Sequence, residues 1–223
     1  MPSALSCSKP AAPDEGILQS ALGGLKAVSG QARWIGVVIL QGALQMAFVI
    51  GPEVILLPLV LHRRGHLAGY GWILAIQGLG TVAGAAFASR WKPQRPGLAA
   101  VLAILGVAPE LILLASDLPF FLLAASVAAT GWGYATFAVL WGTSLQQEVP
   151  EHLLSLVASL DAAGGFILLP ISTALTGMAV ASTGLGPVIA VSGTVLLITT
   201  VLPLTCFGLP AQLGGFRLFL MVP

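Results

Sequence analysis

Charged residues are so sparse in this chain that the stretches between them define its elements. From Trp34 the residues are uncharged until Glu53, and an apolar run containing Pro58 continues to Leu61. At about 1.5 Å per residue the stretch reaches roughly 42 Å, more than the ~30 Å hydrocarbon core of a bilayer. The excess predicts a helix that tilts, or one that breaks at Gly51-Pro52, because Pro52 has no N–H to donate and disfavours helix at Gly51. A second run, about Gly69 to Ala88, carries Gly78, Gly80 and Gly84. Gly80-x-x-x-Gly84 makes a small-residue face that lets a neighbouring helix approach closely. A third run, about Gly97 to Ala115, has Pro109-Glu110 in its last third and ends in a turn at Ser116-Asp117. The fourth begins near Leu118, and residues 118–147 carry no charge, which suits one long helix.

A short polar hairpin, Gln146 to His152, then separates two apolar regions. Residues 162–216 are again uncharged, too long for one helix and right for two. The turn-rich cluster Ser182 to Pro187 is the expected break. That predicts a fifth span over about Leu154 to Ala181 and a sixth over about Val188 to Gly208. The runs are continuously apolar rather than alternating, which argues against a β-barrel. The expected fold is therefore all-α, a polytopic bundle of six transmembrane helices over residues 34–210. Residues 1–33 read as a cytoplasmic tail, disordered to about residue 16, and a mildly amphipathic surface helix over 17–33. Residues 211–223 read as a second cytoplasmic tail.

Composition agrees with this division. The chain of 223 residues is 57% hydrophobic and 8% charged, with mean hydropathy +0.98. A soluble domain carries about 25% charged residues, so this chain could not cover its own surface in water, and the lipid bilayer is its expected surroundings. Net charge is +1, which points to no nucleic-acid partner. Cys7 and Cys206 are too isolated for a disulfide framework or a metal cluster. The sequence contains no Asn for N-glycosylation. The first 16 residues have no apolar core, so they are not expected to be a signal peptide, and the first span is expected to act as the targeting signal. Six spans put both termini on one side. Lys9, Lys26, Arg33, Arg90, Lys92, Arg95 and Arg217 fall on that side, and only Arg63 and Arg64 on the other. The excess of positive charge predicts cytoplasmic termini in the cell membrane.

Three acids stand within the predicted spans: Glu53, Glu110 and Asp161. A charge at mid-bilayer costs on the order of 3 kcal/mol on insertion scales, so such residues have either a structural or a transport role. Asp161 shares a helical face with Gly164, Gly165 and Leu168, which leaves room for a partner helix, a water or a substrate. It either bonds a neighbouring helix near the cytoplasmic surface or handles substrate or protons. Glu53 follows the Gly51-Pro52 break, where freed carbonyls plus a carboxylate suit a cation or proton, unless it only reaches the outer interface. Glu110, near Asp117, is expected to reach the interface. Gln41, Gln45, Gln77 and Thr130 either line a cavity or bond helix to helix. Trp132, Tyr134 and Trp141 either line an aromatic path or simply pack. His62 and His66 are four apart, but Arg63 and Arg64 between them repel a cation, so no metal site and no cofactor is expected. HExxH, P-loop and GxSxG patterns are absent, and no enzyme is expected.

Several stretches together resemble the C-terminal half of a major facilitator superfamily transporter, in the bacterial multidrug and macrolide-efflux branch that includes siderophore exporters. EVILLPLVL, Glu53 to Leu61, resembles the seventh helix of that family. Gly78 to Gly84 with the following ASRWKPQRPG resembles its eighth helix and basic cytoplasmic loop, here Arg90, Lys92 and Arg95. SLQQEVPEHLLSLVASLDAAGGFILLP resembles its tenth-to-eleventh hairpin, and is the most specific match. Leu156 stands where the hairpin of the family has an arginine, and Ala88 or Ser89 stands near the place of an acidic loop residue. The resemblance covers about residues 17–210 and implies proton-driven efflux of a small, amphipathic molecule. Asp161 and Glu53 are the residues to test first, with Gln45, Gln77, Trp132 and Tyr134 as further substrate- or proton-handling candidates. In that family the substrate lies between two six-helix halves. The resemblance therefore implies that this chain pairs with a second half-transporter, forms a homodimer, or does not transport.

Overall fold

The computed structural model describes residues 33–116 and 119–206. The N-terminal tail, all but Arg33 of the surface helix expected over 17–33, Asp117 of the expected turn and the C-terminal tail lie outside the described residues. Among the described residues every regular element is helical. The order is α1 (Arg33–Gln45), a π-helical turn (Met46–Ile50), α2 (Gly51–Arg63), a short 3-10 turn (Leu67–Gly69) and α3 (Tyr70–Arg90). Then follow α4 (Pro96–Ala103), a second 3-10 turn (Ile104–Val107), α5 (Ala108–Leu114), α6 (Phe120–Glu148), α7 (Glu151–Thr183) and α8 (Leu185–Cys206). Five helical stretches are long and apolar enough to cross a membrane: Ile35–Arg63, Leu67–Arg90, Pro96–Leu114, Phe120–Glu148 and Leu153–Thr183. A shorter apolar helix, Leu185–Val201, follows them.

Of the two expectations for this stretch, tilt or a break at Gly51-Pro52, the break does not occur, and the helix continues through a widened turn. The Gly51 N–H donates to the Met46 carbonyl, five residues back rather than four. That register leaves the Ala47 carbonyl without its usual partner, and the Ser172 hydroxyl of α7 donates to it. A π turn before a proline relieves the clash that the ring would make with the preceding turn. Gly51 is also required by contact, since a Cβ there would lie 2.1 Å from the Ser172 Oγ. At the other expected break, the cluster Ser182 to Pro187, one residue does the turning. Gly184 takes φ +88° and ψ 178°, a conformation that L side chains rarely adopt.

Helix α6 is the axis of the bundle, with α3, α4 and α5 packed against it. The glycines make the approach to α3 close. A Cβ on Gly80 would lie 2.1 Å from the Ala128 carbonyl oxygen, and one on Gly84 2.4 Å from that of Trp132. Gly131 of α6 returns the contact against the Gln77 carbonyl, at 2.2 Å. The rod formed by α1, the π turn and α2 packs against α7 and α8. Two apolar clusters fill the interior. One joins Leu56, Leu61, Ile73, Leu111, Leu123 and Leu196, and the other joins Ile35, Val38, Val101, Leu140, Leu145 and Val157. Arg64 closes the end of α5, where its guanidinium donates to the Leu113 carbonyl at 3.0 Å, to that of Leu114 at 3.3 Å and to that of Ser116. Positive charge at a helix C-terminus complements the helix dipole as well as the free carbonyls.

The outer faces of α3 and α7 are apolar and uncovered. Trp72 is 74% exposed and Leu79 70%, while Phe166 is 82% exposed. Ile167, Ile171, Leu175 and Met178 extend the exposed stripe along α7. Patches of this extent mark surfaces that do not face water in the working protein.

Candidate functional site

Inside this bundle, three helices bring one carboxylate and its donors together. Glu53 stands at the start of α2, directly after the π turn and Pro52, and is buried. Gln77 of α3 donates from Nε2 to Glu53 Oε1 at 3.0 Å. Tyr134 of α6 donates from its hydroxyl to Glu53 Oε2 at 2.7 Å. Both carboxylate oxygens are thus engaged by charge-assisted hydrogen bonds, the stronger kind. The close seam between α3 and α6 sets this geometry, because Gln77 lies one turn before Gly80 and its carbonyl abuts Gly131.

Glu110 of α5 is buried within electrostatic reach of this site, which corrects the expectation that it reaches the interface. Its exposure is 0%, and neither carboxyl oxygen has a hydrogen-bond partner. It lies within Coulombic reach of Glu53, and Thr130 of α6 adjoins it without closing a hydrogen bond. Its burial follows from the run Pro96–Leu114, which buries Val107, Leu111 and Leu114 around it against α6 and α8. The nearness of Asp117 in sequence misled the expectation. The informative signal was an acid flanked on both sides by apolar helix.

Gln45 lies in a separate polar contact between α1 and α8. Its Nε2 donates to Thr199 Oγ1 at 3.1 Å and to Thr200 Oγ1 at 3.3 Å. Gln41, one turn earlier, is buried with both amide atoms unpartnered. Asp161 is half-buried on α7, and its Oδ2 accepts from Trp141 Nε1 at 3.0 Å. It does not join the Glu53 group.

The aromatic residues of α6 diverge rather than line one path. Tyr134 turns to Glu53, while Trp141 stacks on Phe137 at 6.3 Å between ring centroids. Trp132 packs against Phe87 at 5.5 Å and lines an open groove of about 490 Å³ with Trp91, Arg95, Leu98, Leu102 and Gly106. Of the basic loop, Arg90 caps its own helix by donating to the Ala86 carbonyl at 3.1 Å, and Lys92 is exposed. His66 packs on Phe120. Among the described residues, no three His, Cys, Asp or Glu side chains are grouped closely enough to hold a metal. A larger apolar groove, about 620 Å³, opens between the π turn, α7 and α8, lined by Phe48, Pro52, Ile171, Leu175, Val188 and Val191.

Comparison of the chain with protein-family models, with curated proteins and with solved structures gives no match.

Proposed function

We propose that the chain is an integral membrane protein of six spans with both termini in the cytoplasm. In this reading it is one six-helix half of a transporter of the major facilitator type, and it carries a small amphipathic molecule out across the cell membrane, coupled to protons. The observation that supports this most is the Glu53 carboxyl group, held by side chains from two other helices inside a largely apolar bundle. A buried ionisable group at such depth is costly to keep and in a helical membrane protein marks an ion or substrate path. The resemblance of the 144–170 hairpin to the family supplies the transporter class. The exposed apolar faces of α3 and α7 suit contact with acyl chains. The reading is of transport rather than catalysis, and needs neither cofactor nor metal.

The test is efflux of a fluorescent amphipathic cation from proteoliposomes with an imposed pH gradient, with oligomeric state measured in the same detergent. Gradient-dependent efflux that is lost in Glu53→Gln and in Asp161→Asn, with insertion intact, supports the reading. The uncovered stripe from Phe166 to Met178 on α7 favours a second reading, in which the chain is a subunit that works only beside a partner. Efflux restored by a second half-transporter or by dimerisation selects it. Absence of flux in every arrangement identifies a membrane protein that does not transport.

A further inference from the structure

The two acids at the centre of the bundle are treated differently by their surroundings. Glu53 has a donor on each oxygen, so its hydrogen-bonding capacity is met where it stands. Glu110 has no hydrogen-bond donor on either oxygen, is wholly buried, and lies within electrostatic reach of Glu53. A wholly buried negative charge without a single hydrogen bond, within electrostatic reach of a second acid, is not a state the bundle can hold. An unpaired buried charge is strongly unfavourable even after relaxation.

We propose that Glu110 is a proton-binding site, carrying one proton as a neutral carboxyl group. Loading adds one proton from water to a Glu110 oxygen and removes one negative charge. Unloading returns that proton to water. A metal cation fits less well. Hard cations collect six or more oxygen ligands, and here both Glu53 oxygens already accept hydrogens from Gln77 and Tyr134. The titratable groups that face Glu110 are few. Glu53 comes from α2 and Tyr134 from α6. The described side chains of α8 include no titratable group. Arg64, which follows α2, donates to the carbonyls at the C-terminal end of α5. The site is built from helices of this chain alone, so it does not depend on a second half or on transport.

Infrared spectroscopy of the full chain in lipid nanodiscs at neutral pH reads the proton directly. A buried protonated carboxyl has a C=O stretch that shifts on exchange into heavy water. The expected result is one such band in the wild type, lost in Glu110→Gln and kept in Glu53→Gln and Asp161→Asn. A wild type without the band, a band kept in Glu110→Gln, or a band lost in Glu53→Gln overturns the assignment. So does loss of the band when sodium is added at constant pH, which would make the occupant a metal cation. Should Glu110→Gln not fold, Glu110→Asp is the second variant, and the band must then move in frequency rather than stay unchanged. Flux through the bundle is not read, so failure of the transport reading and failure of this site are separate outcomes.

Discussion

Gly80→Ala tests how the α3–α6 seam holds the site together. The added Cβ would lie 2.1 Å from the Ala128 carbonyl oxygen, 2.9 Å from its carbon and 3.0 Å from the Ala128 Cα. These are backbone atoms of a long helix, and none can swing aside. Relief requires the two helices to part by roughly 1 Å, since non-bonded carbon contacts settle near 3.5–4.0 Å. Overpacking of this kind costs about 1–3 kcal/mol. The same movement shifts the backbone that places Gln77, one turn away, and should weaken or break its 3.0 Å bond to Glu53. A lost hydrogen bond to a charged group is worth about 1.5–3 kcal/mol. The two losses share a cause and do not simply add, and the better helix propensity of Ala returns up to ~1 kcal/mol. The expected net loss is ~3 kcal/mol. Gly78→Ala is the control, because nothing lies within 4 Å of a Cβ there. It should be neutral or slightly stabilising. Reversible unfolding in mixed micelles by SDS titration reads both variants. Equal stability of Gly80→Ala and Gly78→Ala would refute the close packing of α3 on α6.

Three further outcomes follow from single contacts. Tyr134→Phe removes the donor to Glu53 Oε2 and should lower stability in the same titration by about 1.5–3 kcal/mol. A variant as stable as wild type would mean the hydroxyl is not bonded there. Arg64→Ala leaves the Leu113, Leu114 and Ser116 carbonyls without their guanidinium and should cost about 1–2 kcal/mol, with faster amide exchange confined to the end of α5; uniform exchange along the chain would argue against a local cap. Gly184→Ala forces a side chain into φ +88° and should destabilise by about 1–3 kcal/mol. No change there would mean that the turn between α7 and α8 has another shape.

The helices themselves were legible because apolar runs and their interruptions measure length directly. The hairpin expected at Gln146 to His152 is the turn Val149-Pro150 between α6 and α7, and the break expected within Ser182 to Pro187 is Gly184. Gly80-x-x-x-Gly84 announced a close approach, and the approach is to α6. The site was legible in part. Glu53, Gln77 and Tyr134 each stood out as polar groups in apolar surroundings, but nothing along the chain joined residues 24 and 81 positions apart. Glu110 was misplaced because its depth was judged from the distance to the helix end. Which face it occupies depends on α6 and α8, which pack over it.

What the sequence determined by itself, among the described residues, was a run of apolar helices, five of them long enough to cross a membrane, where the turns between them fall, and which few residues could not be there for solubility. That information is local, since run length, Pro and Gly act on the residues beside them. The tertiary structure alone decided which faces meet. Helix α3 is apolar on nearly every side, so periodicity cannot point it inward. Its orientation comes from the glycines that allow backbone contact with Ala128 and Trp132. The same contact delivers Gln77 to Glu53, the Ser172 hydroxyl turns the Pro52 break into a continuous helix, and the packing over α5 seals Glu110 from water. Each of these rests on atoms far apart in the chain, brought within a few ångströms only when the bundle closes.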